Sequence, residues 1–126
     1  MISHFDSIES LVREQEPDEP VYCLRPTVIQ DQARRYIENF PGRVLYAVKS
    51  NPHPAVLDLL YSAGIRHFDT ASAGEIQLIG ERFADASCYF MHAVKSRQAI
   101  ALALEHFRVR HFAVDHPDEL EKLKQV

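Results

Sequence analysis

Residues 46–54, Tyr46-Ala47-Val48-Lys49-Ser50-Asn51-Pro52-His53-Pro54 ("YAVKSNPHP"), join two kinds of structure. Upstream, "RVLYAV" (43–48) is rich in β-branched and aromatic residues and predicts a strand. Downstream, "NPHPAVLDLLYSAG" (51–64) predicts a helix, with Asn51 as its cap, Pro52 at its first position and Gly64 at its left-handed end. A lysine between the two is unusual. Residues 92–100, "HAVKSRQAI", repeat the Ala-Val-Lys-Ser junction, so Lys49 and Lys95 pose one question: chemical group or solvated strand end.

Working outward, the same rhythm continues. Strands are predicted over 65–70, 87–91 and 110–114, and helices over 72–84, 96–107 and 116–125. Ser72 and Glu75 form an S-x-x-E capping box before the stripe Ile76, Ile79, Phe83. Toward the N-terminus a helix over 27–39 carries Val28, Ala33, Tyr36 and Ile37 on one face. Before it come a short strand "VYCL" (21–24), the breaker "EPDEP", and a helix over 7–15 facing inward through Ile8, Leu11 and Val12.

Strands followed by helices across short loops imply a parallel sheet with right-handed crossovers. An open doubly wound sheet and a (β/α)8 barrel both satisfy that pattern. No strand is followed by G-x-G-x-x-G or a phosphate loop, which weakens a nucleotide-binding reading. The chain has 126 residues, 46% hydrophobic and 25% charged, with a formal net charge of −4. Its basic residues are scattered, which argues against nucleic acid. No run approaches the roughly 18 apolar residues of a membrane span, and "MISHFDSIES" resembles no signal peptide. Cys23 and Cys88 form no CxxC and read as free thiols, which makes the cytoplasm the expected location.

In both architectures chemistry gathers at the C-terminal ends of the strands, and Lys49, Asp69, His92, Lys95 and Asp115 all fall there. Alternation in "VLYAVK" puts Val44, Tyr46 and Val48 on one face and Leu45, Ala47 and Lys49 on the other. In a closed barrel the second set points inward, and the small Ala47 leaves room for a ligand. A lysine so placed is desolvated, tends toward its neutral form and can attack a carbonyl. The competing reading is a lysine that snorkels from a strand end. Lys95 follows a less regular strand and reads as a structural or solvated rim group. His92 reads as hydrogen-bonded scaffold, and no residue pattern supports a metal site.

The stretch "LYAVKSNPHPAVLDLLYSAGIRHFDTASAGEI" resembles the N-terminal barrel segment of the fold type III pyridoxal-phosphate decarboxylases, the ornithine/diaminopimelate/arginine group. Two motifs carry the likeness in register: Tyr46-Ala47-Val48-Lys49-Ser50-Asn51 and Phe68-Asp69-Thr70-Ala71-Ser72-Ala73-Gly74-Glu75. The resemblance runs from about residue 20 onward. It implies a partial (β/α)8 barrel of roughly the first four βα units over 21–126, preceded by a helix and linker over 1–20. It further implies pyridoxal 5'-phosphate as cofactor, held by Lys49 as a Schiff base, with Asp69, Glu75 and Ala47 beside it. The implied reaction is decarboxylation of a basic amino acid, ornithine favoured, in a full-length homodimer. Because the family's further motifs lie beyond residue 126, the expectation is an N-terminal fragment inactive by itself. A non-catalytic cofactor-binding relative and an unrelated α/β binding domain are the alternatives.

Overall fold

The computed structural model describes residues 3–126. Four strands form one parallel sheet: β1 (Leu45–Ala47), β2 (His67–Thr70), β3 (Ser87–Phe90) and β4 (His111–Phe112). Six helices accompany them: α1 (Ile8–Gln15), α2 (Pro26–Asn39), α3 (Pro54–Ser62), α4 (Ala73–Arg82), α5 (Arg97–Glu105) and α6 (Pro117–Lys124). The strand order is β1-β2-β3-β4, with no reversal. A doubly wound sheet reverses its order and so covers both faces with helices. Right-handed crossovers that always advance in one direction put every helix on the same face. This is the wall of a (β/α)8 barrel, four of whose units the chain supplies.

The ladder separates the faces. Tyr46 pairs with Phe68, Phe68 with Cys88, Thr70 with Phe90, and Phe90 with Phe112. That layer faces the helices and is the core: Phe68, Phe90, Val48, Leu57, Ile76, Ile79 and Ile100 are essentially inaccessible. Burying each side chain of this size contributes about 1.5–3 kcal/mol. On the opposite face, Leu45 and Ala47 of β1 stand beside His67 and Asp69 of β2, Ser87 and Tyr89 of β3, and His111 of β4.

Three expectations need correction. Residues 21–24 form no strand; Val21 and Tyr22 are exposed, Tyr22 completely, because no neighbouring strand supplies a ladder. The helix after Lys49 starts at Pro54, not Pro52, and its cap is His53, whose Nδ1 accepts the Ala55 amide at 3.2 Å. Asn51 and His53 each precede a proline, which disfavours helical backbone at both, so the first residue free to begin the helix is Pro54. Asn51 instead turns the chain by accepting the His53 amide at 3.1 Å. The apolar faces of α1 and α2 are mostly uncovered: Ile8, Val12, Val28, Tyr36 and Ile37 are exposed, and only Ala33 is buried. Gly64 does close α3 with a left-handed φ of 113°.

Candidate functional site

The strand leading to Lys49 ends at Ala47, one residue before its expected end at Val48. After Ala47 the chain enters a tight turn over Val48–Ser50, in which Val48 joins the core and Lys49 is exposed. Ser50 Oγ donates to the Ala47 carbonyl at 2.7 Å, and Tyr46 Oη donates to the Asn51 carbonyl at 3.2 Å. These bonds hold the backbone on either side of Lys49 while leaving its amine without a hydrogen bond or ion pair among the described residues. The expected desolvation is therefore absent; one wall of a barrel leaves a strand-end amine open to water.

The Lys49 turn packs beside β2, which carries Asp69 near its end. Asp69 is the register partner of Ala47, is half-buried, and makes no side-chain hydrogen bond or ion pair among the described residues. Glu75 sits in the first turn of α4. The capping box is present in altered form. Ser72 Oγ accepts the Glu75 amide at 3.2 Å, but Glu75 Oε2 accepts the Ala71 amide at 2.8 Å rather than the amide of Ser72. Glu75 thus braces the loop that leaves β2 just after Asp69.

Of the two expectations for Lys95, a structural or a solvated rim group, the structure bears out the structural one. Its side chain is wholly inaccessible, and Nζ donates to the carbonyls of Ala113 at 2.7 Å, Ala93 at 2.9 Å and His92 at 3.0 Å. Glu119 Oε1 lies 3.0 Å from the same nitrogen and also accepts the Lys95 amide at 3.0 Å. Lys122 and then Lys95 hold the Glu119 carboxyl down to about 2, against the opposing effect of burial. His92 itself is exposed.

Sequence reasoning missed a second polar group on the inner face. Tyr89 stacks on His111 with ring centres 4.5 Å apart, accepts from Arg43 Nη1 at 2.8 Å, and lies 3.4 Å from His67 Nδ1. Burial, followed by the charges of Arg43 and His111, pushes the His67 imidazole below its ordinary value. Strand alternation alone puts His67 and Tyr89 on one face with Asp69; what it lacks is the lateral register that brings β1, β2, β3 and β4 side by side.

An exposed amine on the turn beside β2 and a half-buried carboxylate on β2, both without polar partners among the described residues, fit an aldehyde cofactor, which the amine would hold and the anion would stabilise in its cationic form. Among the described residues no cluster of histidine, cysteine and carboxylate groups could hold a metal, and no helix is long and apolar enough to cross a membrane.

Comparison with known proteins identifies the family. Residues 27–126 match the model of the pyridoxal-dependent decarboxylase family, pyridoxal binding domain. The lysine/ornithine decarboxylase of Selenomonas ruminantium is 40% identical over 81 residues, which are 64% of this chain and 20% of that protein. The ornithine decarboxylase of Leishmania donovani is 32% identical over 121 residues, 88% of this chain and 16% of that protein. Among solved structures, the lysine/ornithine decarboxylase of Vibrio vulnificus complexed with putrescine superposes with a TM-score of 0.76 at 34% identity. That match covers 94% of this chain and 32% of that one, so the chain spans about a third of the solved relative and a fifth or less of the two curated ones. The chain belongs to the pyridoxal-dependent decarboxylases, carries their pyridoxal-binding domain, and has pyridoxal 5'-phosphate as its cofactor.

Proposed function

We propose that the whole protein decarboxylates a basic amino acid, with ornithine the favoured substrate, and that Lys49 is its covalent cofactor attachment. The observation that carries this reading is the juxtaposition of the free Lys49 turn with the uncommitted carboxylate of Asp69 within a pyridoxal-binding domain. The substrate class is supported by relatives that act on lysine and ornithine.

The bound pyridoxal ring supplies an electron sink for the pair released as the Cα–carboxylate bond breaks and carbon dioxide departs. Lys49 would hold the cofactor covalently through its amine and would yield that place to the substrate amine. Once released, the Lys49 amine stands at the strand end to exchange protons with the substrate carbon, which is reprotonated to give the product amine. Asp69 would place its negative charge near the bound cofactor and favour the protonated form of the nitrogen there. Glu75 keeps the Asp69 loop in place through the Ala71 amide, and Ala47 leaves the space beside Asp69 unfilled. We infer further that the whole protein acts as a homodimer in the cytoplasm and yields a polyamine precursor; free Cys23 and Cys88 accord with a reducing compartment.

The test is reduction of the mixture of protein and pyridoxal phosphate with borohydride, followed by peptide mapping. Label is expected on Lys49 and lost in Lys49→Ala. A clean Lys49 with label on another lysine overturns the assignment.

A further inference from the structure

The repeated Ala-Val-Lys-Ser junction has two different outcomes. Lys49 is free, whereas Lys95 is enclosed by four oxygens, three carbonyls and one carboxylate, at 2.7–3.0 Å. Burying an ammonium costs several kcal/mol unless such partners replace its water. Here they do so completely: an ammonium has three donors, and each meets a carbonyl.

The oxygens come from three separate elements that meet at the rim of the sheet. His92 and Ala93 belong to the loop leaving β3, Ala113 to the exit of β4, and Glu119 to α6. The Ala113 amide returns to β3 by donating to the Phe90 carbonyl at 3.0 Å. Both junctions have a carboxylate in the next-but-one helix, committed differently. Glu119, third residue of α6, accepts the Lys95 amide, whereas Glu75, third residue of α4, accepts the Ala71 amide instead.

We propose that the Lys95 ammonium is a built-in cation that fixes the β3–α5 loop at the C-terminal rim of the sheet, beside the strand that carries Asp69. Lys95 is a positioning residue and touches no reacting atom; its link to catalysis rests on the cofactor assignment made above for Lys49. Its oxygen cage is of the kind that replaces the hydration shell of a small cation. Removing the side chain therefore leaves a site that a free alkylammonium ion can refill.

The experiment has two arms, both on the whole chain. In the unaltered protein, nuclear magnetic resonance should detect slowly exchanging Lys95 ammonium protons coupled across hydrogen bonds to the carbonyl carbons of His92, Ala93 and Ala113. Rapidly exchanging protons without such couplings overturn the cage.

In Lys95→Ala, the amides of residues 95 and 113 should exchange about tenfold faster or more, while those of β2 and α4 keep their rates. n-Propylammonium should restore the slow exchange, and the neutral n-propanol of similar shape should not. Recovery with neither compound, or equally with both, shows that packing rather than charge holds the loop, and overturns the proposal. Should Lys95→Ala unfold, recovery of the fold with the amine alone supports the cage, and otherwise the first arm decides. Borohydride labelling of Lys49 in the unaltered protein is read separately. Its loss sinks the cofactor assignment while leaving the ammonium measurements intact, and a failed cage leaves that labelling in place.

Discussion

Ala47 and Asp69 are partners across the β1–β2 ladder, so a methyl group and a carboxylate stand side by side just before the turn that carries Lys49. The pairing gives Ala47 a purpose beyond strand formation: a larger residue would fill the space next to the carboxylate. Ala47→Leu should leave stability within about 0.5 kcal/mol, because the position is only half-buried. Labelling of Lys49 by pyridoxal phosphate and borohydride should fall several-fold. Thermal melts and mass spectrometry of the same samples report both quantities, and unchanged labelling would remove Ala47 from the site.

Glu75 braces a loop with one carboxylate oxygen, and Ser72 caps the helix behind it. Ser72→Ala should cost about 1 kcal/mol of stability through the lost cap. Glu75→Gln keeps an oxygen for the Ala71 amide and should change stability little, yet should weaken Lys49 labelling by removing a charge. If Glu75→Gln labels like the unaltered protein, Glu75 is a cap alone.

Glu119 binds its proton less readily in the folded chain, with its carboxyl held down to about 2 from an ordinary 4.5 by Lys122 and Lys95. A carboxyl shifted downward adds stability that is fully present above its unfolded value and is lost as pH falls through its folded one. Denaturant midpoints should therefore decline from about pH 4.5 toward pH 2. Glu119→Gln should be less stable near neutrality and should show a shallower decline, as read from urea titrations along a pH series.

His67 is shifted downward as well, here because burial and the charges of Arg43 and His111 disfavour its imidazolium. The unfolded chain then takes up a proton before the folded one does, so stability falls as pH drops through the ordinary value of 6.5 toward the lower folded value. Below the folded value no further loss comes from this residue. His67→Gln should flatten that part of the profile, and a proton titration of the His67 ring should give the lowered value directly.

The two thiols differ by environment. Cys88 is buried under the helices, which pushes it up to about 12, and Cys23 is exposed. The thiolate is the reactive form. A disulfide reagent at about pH 8 should modify Cys23 promptly, leaving Cys88 untouched until the chain is denatured. Counting released thiolate in native Cys23→Ser checks this, and rapid release there would contradict the burial of Cys88.

Much of the architecture was legible from local chemistry. The alternation of Phe68 with Asp69 and the stripe of Ile76 and Ile79 need only near neighbours to declare strand and helix. Two motifs sufficed to point to the family. The error at Pro52 was also local, since two prolines spaced by one residue forbid the earlier start. The strand expected at Val21–Leu24 failed for a different reason: a strand exists only with a partner, and sequence pattern does not supply one.

The fates of the two lysines mark the boundary between levels. In sequence they sit in the same four letters at the same kind of strand end, and differ only in the regularity of the strand before them and in the Asn-Pro-His-Pro stretch that follows Lys49. By itself the sequence determined the alternation of strand and helix, the core stripe and the family. Only the tertiary structure decided that Lys95 is enclosed and Lys49 open, and that Arg43, His67, Tyr89 and His111 meet on one face. Both outcomes depend on groups far apart along the chain. Helix and strand periodicity reports which face a residue occupies, but the partner on that face is set by lateral register and by the packing of later elements.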